Sequence, residues 1–270
     1  MKTNMHLTRN CKRYKLIKTA TKSSFGLMMA LIVFFLPGFD IISQDENDSK
    51  NQIPEKGELI YQNDLSSEND VKDWVMEGPG EIKFKDGWMH MYSPDEEYHH
   101  VFWCPKEFPD QYIAEWEAQN LETDAGLCIV FFAAKGLNGE DIFHPSLQDR
   151  EGKFGRYTNG EIRCYHISYY ANAAHNPDRG QSNLRKNDQF VLVQEGEEGI
   201  PTKSEAIHQM KLIKNGAHIQ MYVDDRKVID WVDNKENEPR PYYKEGNIGF
   251  RQMQWTHFRY RNFKVYSIED

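Results

Sequence analysis

The chain has 270 residues, 39% hydrophobic and 13% aromatic, enough apolar material for one packed domain and too much for intrinsic disorder. Its 33 basic and 42 acidic residues give a net charge of -9, yet seven basic residues (Lys2, Arg9, Lys12, Arg13, Lys15, Lys18 and Lys22) precede the first apolar run with no acid among them. The other 26 basic and 42 acidic residues exclude the broad basic footprint that displaces phosphate counterions, so nucleic acid is not an expected partner.

In chain order, the first feature is the run FGLMMALIVFFL, residues 25–36, behind the basic stretch and ahead of Pro37-Gly38. A dozen apolar residues is short for a spanning helix, which needs about 20, and fits the core of a secretory signal. Residues 1–43 are therefore expected to be a signal peptide or an uncleaved N-terminal membrane anchor, placing the remainder in the periplasm or cell envelope. Residues 44–58, beginning QDENDSKNQIPEK, are polar and acidic and read as a flexible tether. The domain proper is expected over 59–270.

From Leu59 onward, short segments rich in Val, Ile, Tyr, Phe and Trp alternate with Gly, Pro, Asn and Asp clusters. Strands are expected at 59–63, 81–84, 88–92, 98–103, 112–118, 127–134, 162–170, 208–214, 218–223, 227–231, 247–253 and 258–266, with no long helix. The pattern predicts an all-β sandwich or barrel. Asn215-Gly216 and Asp224-Asp225 read as hairpin turns. LCIVFFAA (127–134) is apolar on both faces and suits the centre of a packed sheet. Two stretches, 136–160 and 172–188, read as long loops, a common place for function.

After the N-terminal segment three cysteines remain, Cys104, Cys128 and Cys164. Each lies in an apolar run, which favours buried free thiols over a disulfide. With neither a CxxC pair nor His at metal spacing they make no zinc site, and no metal or cofactor is expected. GxSxG, HExxH, a Walker loop and a dinucleotide fingerprint are all missing from the sequence. Glu140 and Asp141 are adjacent, so on a strand they would face opposite ways and make a poor acid/base pair.

IRCYHISYY, 162–170, offers a candidate site. Strand alternation puts Cys164, His166, Ser168 and Tyr170 on one face and Tyr165, Ile167 and Tyr169 on the other. The alternative is a hydrogen-bonded core histidine among core tyrosines. In GFRQ, Ile248 and Phe250 should face the core, so Arg251 should project from the opposite side, next to Gln252. NLRK supplies Asn183, Arg185 and Lys186. These side chains can hold a carboxylate or sulfate, and arginine can do so in bidentate fashion. The alternative is a set of unconnected surface charges. Between Asp141 and Asp188 seven basic residues stand against six acidic ones, a relatively positive stretch in an acidic protein.

The pieces DVKDWVMEGPG (70–80), HHVFWCPKEFPD (99–110), GLCIVFFAAKGLNGEDIFHPSL (126–147), HISYY, NLRK, MKLIK (210–214) and GNIGFRQM (246–253) resemble a bacterial family of concanavalin A-like jelly rolls. Its members occur in gene clusters that degrade acidic polysaccharides such as rhamnogalacturonan and ulvan. The resemblance spans most of 59–268. It implies a sandwich of two antiparallel sheets and an enzyme, an oligosaccharide dehydratase of ulvan breakdown. That hydro-lyase removes water from a non-reducing-end uronic acid and leaves a 4,5-unsaturated uronate. The substrate would be an acidic oligosaccharide. Alternatives are a non-catalytic carbohydrate-binding module and a glycoside hydrolase of the same fold.

Elimination needs a neutralised carboxylate, a base for the C5 proton and an acid for the C4 hydroxyl. By residue type and expected face, Arg251, Arg185, Lys186, Asn183 and Gln252 would bind the carboxylate. His166 is the first choice of base, with His99 second. Tyr170, Tyr169 or Tyr157 would be the acid. The expected register leaves Tyr170 beside His166.

Overall fold

Alternation of apolar and polar residues builds strands whose apolar faces must be covered, and here two sheets cover each other. The computed structural model describes residues 53–94, 99–172, 179–234 and 241–269. The expected targeting segment lies outside the described residues, as do Tyr98 and all but the last few residues of the tether. In chain order the strands are β1 (Lys56–Asn63), β2 (Val75–Glu77), β3 (Glu81–Lys85), β4 (Trp88–Tyr92), β5 (His100–Phe108), β6 (Gln111–Asn120) and β7 (Gly126–Gly136). A short helix α1 (Phe154–Thr158) precedes β8 (Ile162–Asn172), β9 (Gln181–Asn187), β10 (Val191–Glu198), β11 (Ile207–Asn215), β12 (His218–Val223), β13 (Arg226–Val232), β14 (Gly246–Gln252) and β15 (His257–Ile268).

One antiparallel sheet has the order β13-β12-β11-β6-β15-β4-β3, with β1 also on β15, and the other has the order β10-β9-β8-β7-β14-β5-β2. This is the expected jelly-roll sandwich. The main core lies between the sheets and draws Trp116, Leu212 and Phe258 from the first and Phe132, Ile167 and Phe250 from the second. Trp116 meets Phe250 edge-on across it, ring centroids 5.3 Å apart. A second cluster covers the outer face of the β8-β7-β14-β5 sheet, where Trp103, Ile129, Phe131 and Cys164 pack under Ile142 and Tyr157 from the segment between β7 and β8. That explains why β7 is apolar on both faces.

The three cysteines are free and buried. The second expected loop is shorter than its sequence suggests, because 181–187 pairs with β8 as β9. The polar QSNLRKN is a strand through its ladder rather than its composition. β2 and β10 were likewise not apparent in the sequence pattern. The Asp224-Asp225 turn lies between the paired Val223 and Arg226, whereas the other hairpin turns one residue later than expected, at Gly216-Ala217 between Asn215 and His218.

Candidate functional site

Cross-strand pairing aligns the candidate residues. Asn183 pairs with Ser168, Ser168 with Ile129, and Ile129 with Arg251, forming one row across β9, β8, β7 and β14. In the next row Arg185 pairs with His166, His166 with Phe131 and Phe131 with Gly249. Ile129 and Phe131 belong to the outer cluster, so both rows face away from the other sheet. Gly249 is needed here, since a Cβ at that position would lie 2.3 Å from the Trp103 indole.

A cavity of about 210 Å³ opens over these rows, lined by His166, Ser168, Arg179 and Arg185 together with apolar groups that include Ile129, Phe154 and Phe190. Phe154 and Phe190 flank His166, with ring centroids 6.1 and 5.8 Å from the imidazole. Each phenyl carries a guanidinium: Arg185 lies 4.0 Å from the Phe190 centroid and Arg251 4.8 Å from that of Phe154. Arg179 donates to Ser168 Oγ at 3.0 Å, and in its satisfied orientation the Asn183 amide oxygen also accepts from Arg179. Arg185 donates to the Phe190 carbonyl at 3.0 Å.

Arg251 is fully buried, and only one of its nitrogens is bonded, NH1 to the Gly152 carbonyl at 3.1 Å. Its Nε and NH2 have no partner. Burial lowers its pKa to about 10. Burial also lowers Arg179, and burial together with Arg179 lowers Arg185. Among the described residues no carboxylate forms an ion pair with any of these three arginines. Other concavities differ in this respect: Arg150 is held by Glu77, and Arg163 lies 3.9 Å from Glu245.

His166 is buried, and its pKa is pushed down to about 3 by burial and then by Arg185, Arg251 and Arg179. It is a neutral imidazole at ordinary pH. Asn187 Nδ2 lies 2.9 Å from its Nδ1 and 3.2 Å from Cys164 Sγ. With the amide donating to Nδ1, the ring proton sits on Nε2. In that tautomer His166 is a hydrogen-bond donor at Nε2.

The other expected site residues are placed as follows. Tyr170 does not share the His166 face. A register shift in the β7-β8 ladder, between the Cys128–Tyr170 and Ile129–Ser168 pairs, turns it into the inter-sheet core, 5.1 Å from the Phe258 ring. Tyr169 is also in the core, its hydroxyl 3.3 Å from that of Tyr260. Gln252 points inward and donates to Tyr260 at 3.2 Å. Lys186 alternates away from Arg185 and forms a buried ion pair with Asp233 at 2.7 Å. Tyr157 lies behind the cavity, stacked on Phe131 and donating to Glu77 at 2.8 Å. His99 is not among the residues that line the cavity; burial and then Arg251 lower its pKa, and its Nδ1 accepts the Gln254 N–H at 3.2 Å. Arg179, Phe154 and Phe190 were not anticipated. Arg179 had a signal, as a basic residue in the positive stretch, but its position over Ser168 depends on β8 and β9 being neighbours.

Residues 58–265 match the sequence pattern of the domain of unknown function DUF1961. The chain belongs to the DUF1961 family. It is 39% identical over 214 residues to the uncharacterized protein YesU of Bacillus subtilis, covering 78% of this chain and 96% of that protein. It superposes with a TM-score of 0.77 and 37% identity on a Bacillus subtilis protein of unknown function with a galectin-like fold, over 81% of this chain and all of that one. A laminarinase from a Flavobacterium species gives a TM-score of 0.54 at 14% identity, covering 78% of this chain and all of that one, a likeness of fold. The DUF1961 domain is thus a galectin-like jelly roll.

Proposed function

We propose that this DUF1961 protein binds an acidic oligosaccharide in the Arg179–Arg185–His166 cavity and eliminates water from its terminal uronic acid, leaving a 4,5-unsaturated uronate. The observation that carries this reading is a set of three arginines with no carboxylate partner among the described residues, beside a neutral histidine and two phenyl rings. A sugar carboxylate supplies the missing negative charge, and the phenyl faces suit the C–H faces of a pyranose ring. Neutralising the carboxylate makes the C5 proton more acidic.

His166 acts as base once the Asn187 amide turns over. Asn187 Oδ1 then accepts from Nδ1–H, and the Nε2 lone pair faces the substrate. The proton leaving C5 goes to Nε2, and the C4 hydroxyl departs as water with a proton delivered through bound solvent. The expected setting is the cell envelope, reached through the N-terminal segment.

A second reading, a saccharide-binding module without turnover, is favoured by one observation: the tyrosine hydroxyls expected as acids lie in the core or behind the cavity. The two are separated by mixing the protein with uronate-terminated oligosaccharides. Growth of the ultraviolet absorbance of a conjugated uronate, lost in His166→Ala, supports elimination. Calorimetric binding without that absorbance leaves the binding module, and neither signal defeats both.

A further inference from the structure

His208 lies in the other sheet, near the start of β11, and is the centre of a three-residue chain that the cavity does not use. Its Nδ1 lies 2.9 Å from Asp224 Oδ2, and its Nε2 lies 2.8 Å from Ser204 Oγ. The His208 side chain is 7% exposed and that of Asp224 is 46% exposed. Asp224 is fixed independently: its Oδ1 accepts the Gln209 N–H at 3.0 Å, and its own N–H donates to the Gln209 carbonyl at 2.7 Å.

The order of these contacts sets the proton positions. A carboxylate can only accept, so in the neutral ring Nδ1 carries the proton and Nε2 keeps its lone pair. Ser204 Oγ–H must then donate to Nε2. This is the reverse of His166, whose Nδ1 accepts from Asn187. Burial of Asp224 would raise its pKa, but hydrogen bonds from His208 and the Gln209 N–H outweigh that and hold it below the usual range. The carboxylate is therefore ionised opposite the ring.

Ser204 lies in the link before β11, directly after Lys203, which has a left-handed backbone (φ 68°). Its Oγ also accepts the Ala206 N–H at 3.3 Å, and the Glu205 carbonyl accepts from Gln119 at 2.6 Å. Among the described residues nothing accepts the Glu205 N–H, the donor immediately after the serine, where an acyl oxyanion can be received. Lys203, Glu205 and Ala206 are exposed.

We propose that Ser204, His208 and Asp224 form a nucleophilic triad that cleaves small, unhindered acyl esters presented at the surface. Ser204 Oγ attacks the ester carbonyl carbon while His208 Nε2 takes its proton. The tetrahedral adduct collapses, and the alcohol leaves with that proton. Water, deprotonated by the same nitrogen, then releases the acid and restores the serine. The residues flanking Ser204 are exposed, which favours a short acyl group.

The test treats the full chain with a fluorophosphonate and maps any adduct by peptide mass, alongside hydrolysis of 4-nitrophenyl acetate. The expected result is one adduct on Ser204, absent in Ser204→Ala and in His208→Gln, with hydrolysis about 100-fold or more slower in either variant. Asp224→Asn should label more slowly, since the ring loses its fixed tautomer. An unlabelled Ser204 in the wild-type protein, or hydrolysis unchanged in a folded Ser204→Ala, overturns the proposal. Circular dichroism establishes that the variants are folded, and the wild-type labelling decides the matter even if one is not.

Discussion

Arg251 sits fully buried between two aromatic rings with two of its three nitrogens unbonded. A charge held this way opposes folding unless something compensates it. Arg251→Met keeps the bulk and removes the charge, so the ligand-free variant should be more stable by about 1 kcal/mol or more in chemical denaturation. Its affinity for a uronate should fall, which calorimetry reads. Arg185→Met, on a part-buried residue, should weaken the same binding with little effect on stability. The histidines make a separate prediction. Burial first, then neighbouring positive charge, lowers His166 and His100 to about 3. From the ordinary 6.5 down to about pH 3 the unfolded chain binds more protons than the folded one. Their contribution to stability is complete above pH 6.5 and is lost as pH falls through that window. Thermal melts between pH 7 and pH 4 should show this decline, and it should be shallower in His166→Gln.

β2 has only three residues, yet it fixes the covering of the outer face. Glu77 accepts from Arg150 Nε at 3.0 Å and from Tyr157 at 2.8 Å, while Arg150 also donates to the Ile142 carbonyl at 2.8 Å. These contacts tie the segment between β7 and β8 to the opposite edge of the sheet and hold Tyr157 under Arg251. Glu77→Gln leaves Arg150 buried without its counter-charge, which costs about 3–5 kcal/mol where nothing relaxes. Hydrogen exchange should show faster exchange over 142–158 than elsewhere. In β14, Gly249→Ala forces a methyl group into the Trp103 ring and should destabilise the protein by about 1–3 kcal/mol in urea unfolding. The sequence marked β14 clearly through its apolar pattern. It could not mark β2 or β9, whose residues are strands because a neighbour offers them a ladder.

Across the whole molecule, burial raises Cys164 to about 12 and Cys104 to about 11, and pushes Cys128 higher still. The native protein should therefore leave these thiols unreactive toward a thiol reagent until denaturant is added, and reductant should not change its melting temperature. Composition and period alone determined the all-β class, the buried thiols and the projection of Arg251 from the face of β14 opposite Phe250, because a two-residue repeat fixes which side chains share a face. The same repeat put Tyr170 next to His166, and there it failed: one irregularity in the β7-β8 pairing inverts the alternation, and no local pattern announces it. Arg179 meeting Ser168, phenyl rings flanking His166, and His208 lying between Ser204 and Asp224 were decided by tertiary structure. Each joins segments whose proximity comes from strand pairing and burial, neither of which is written in the spacing of the residues themselves.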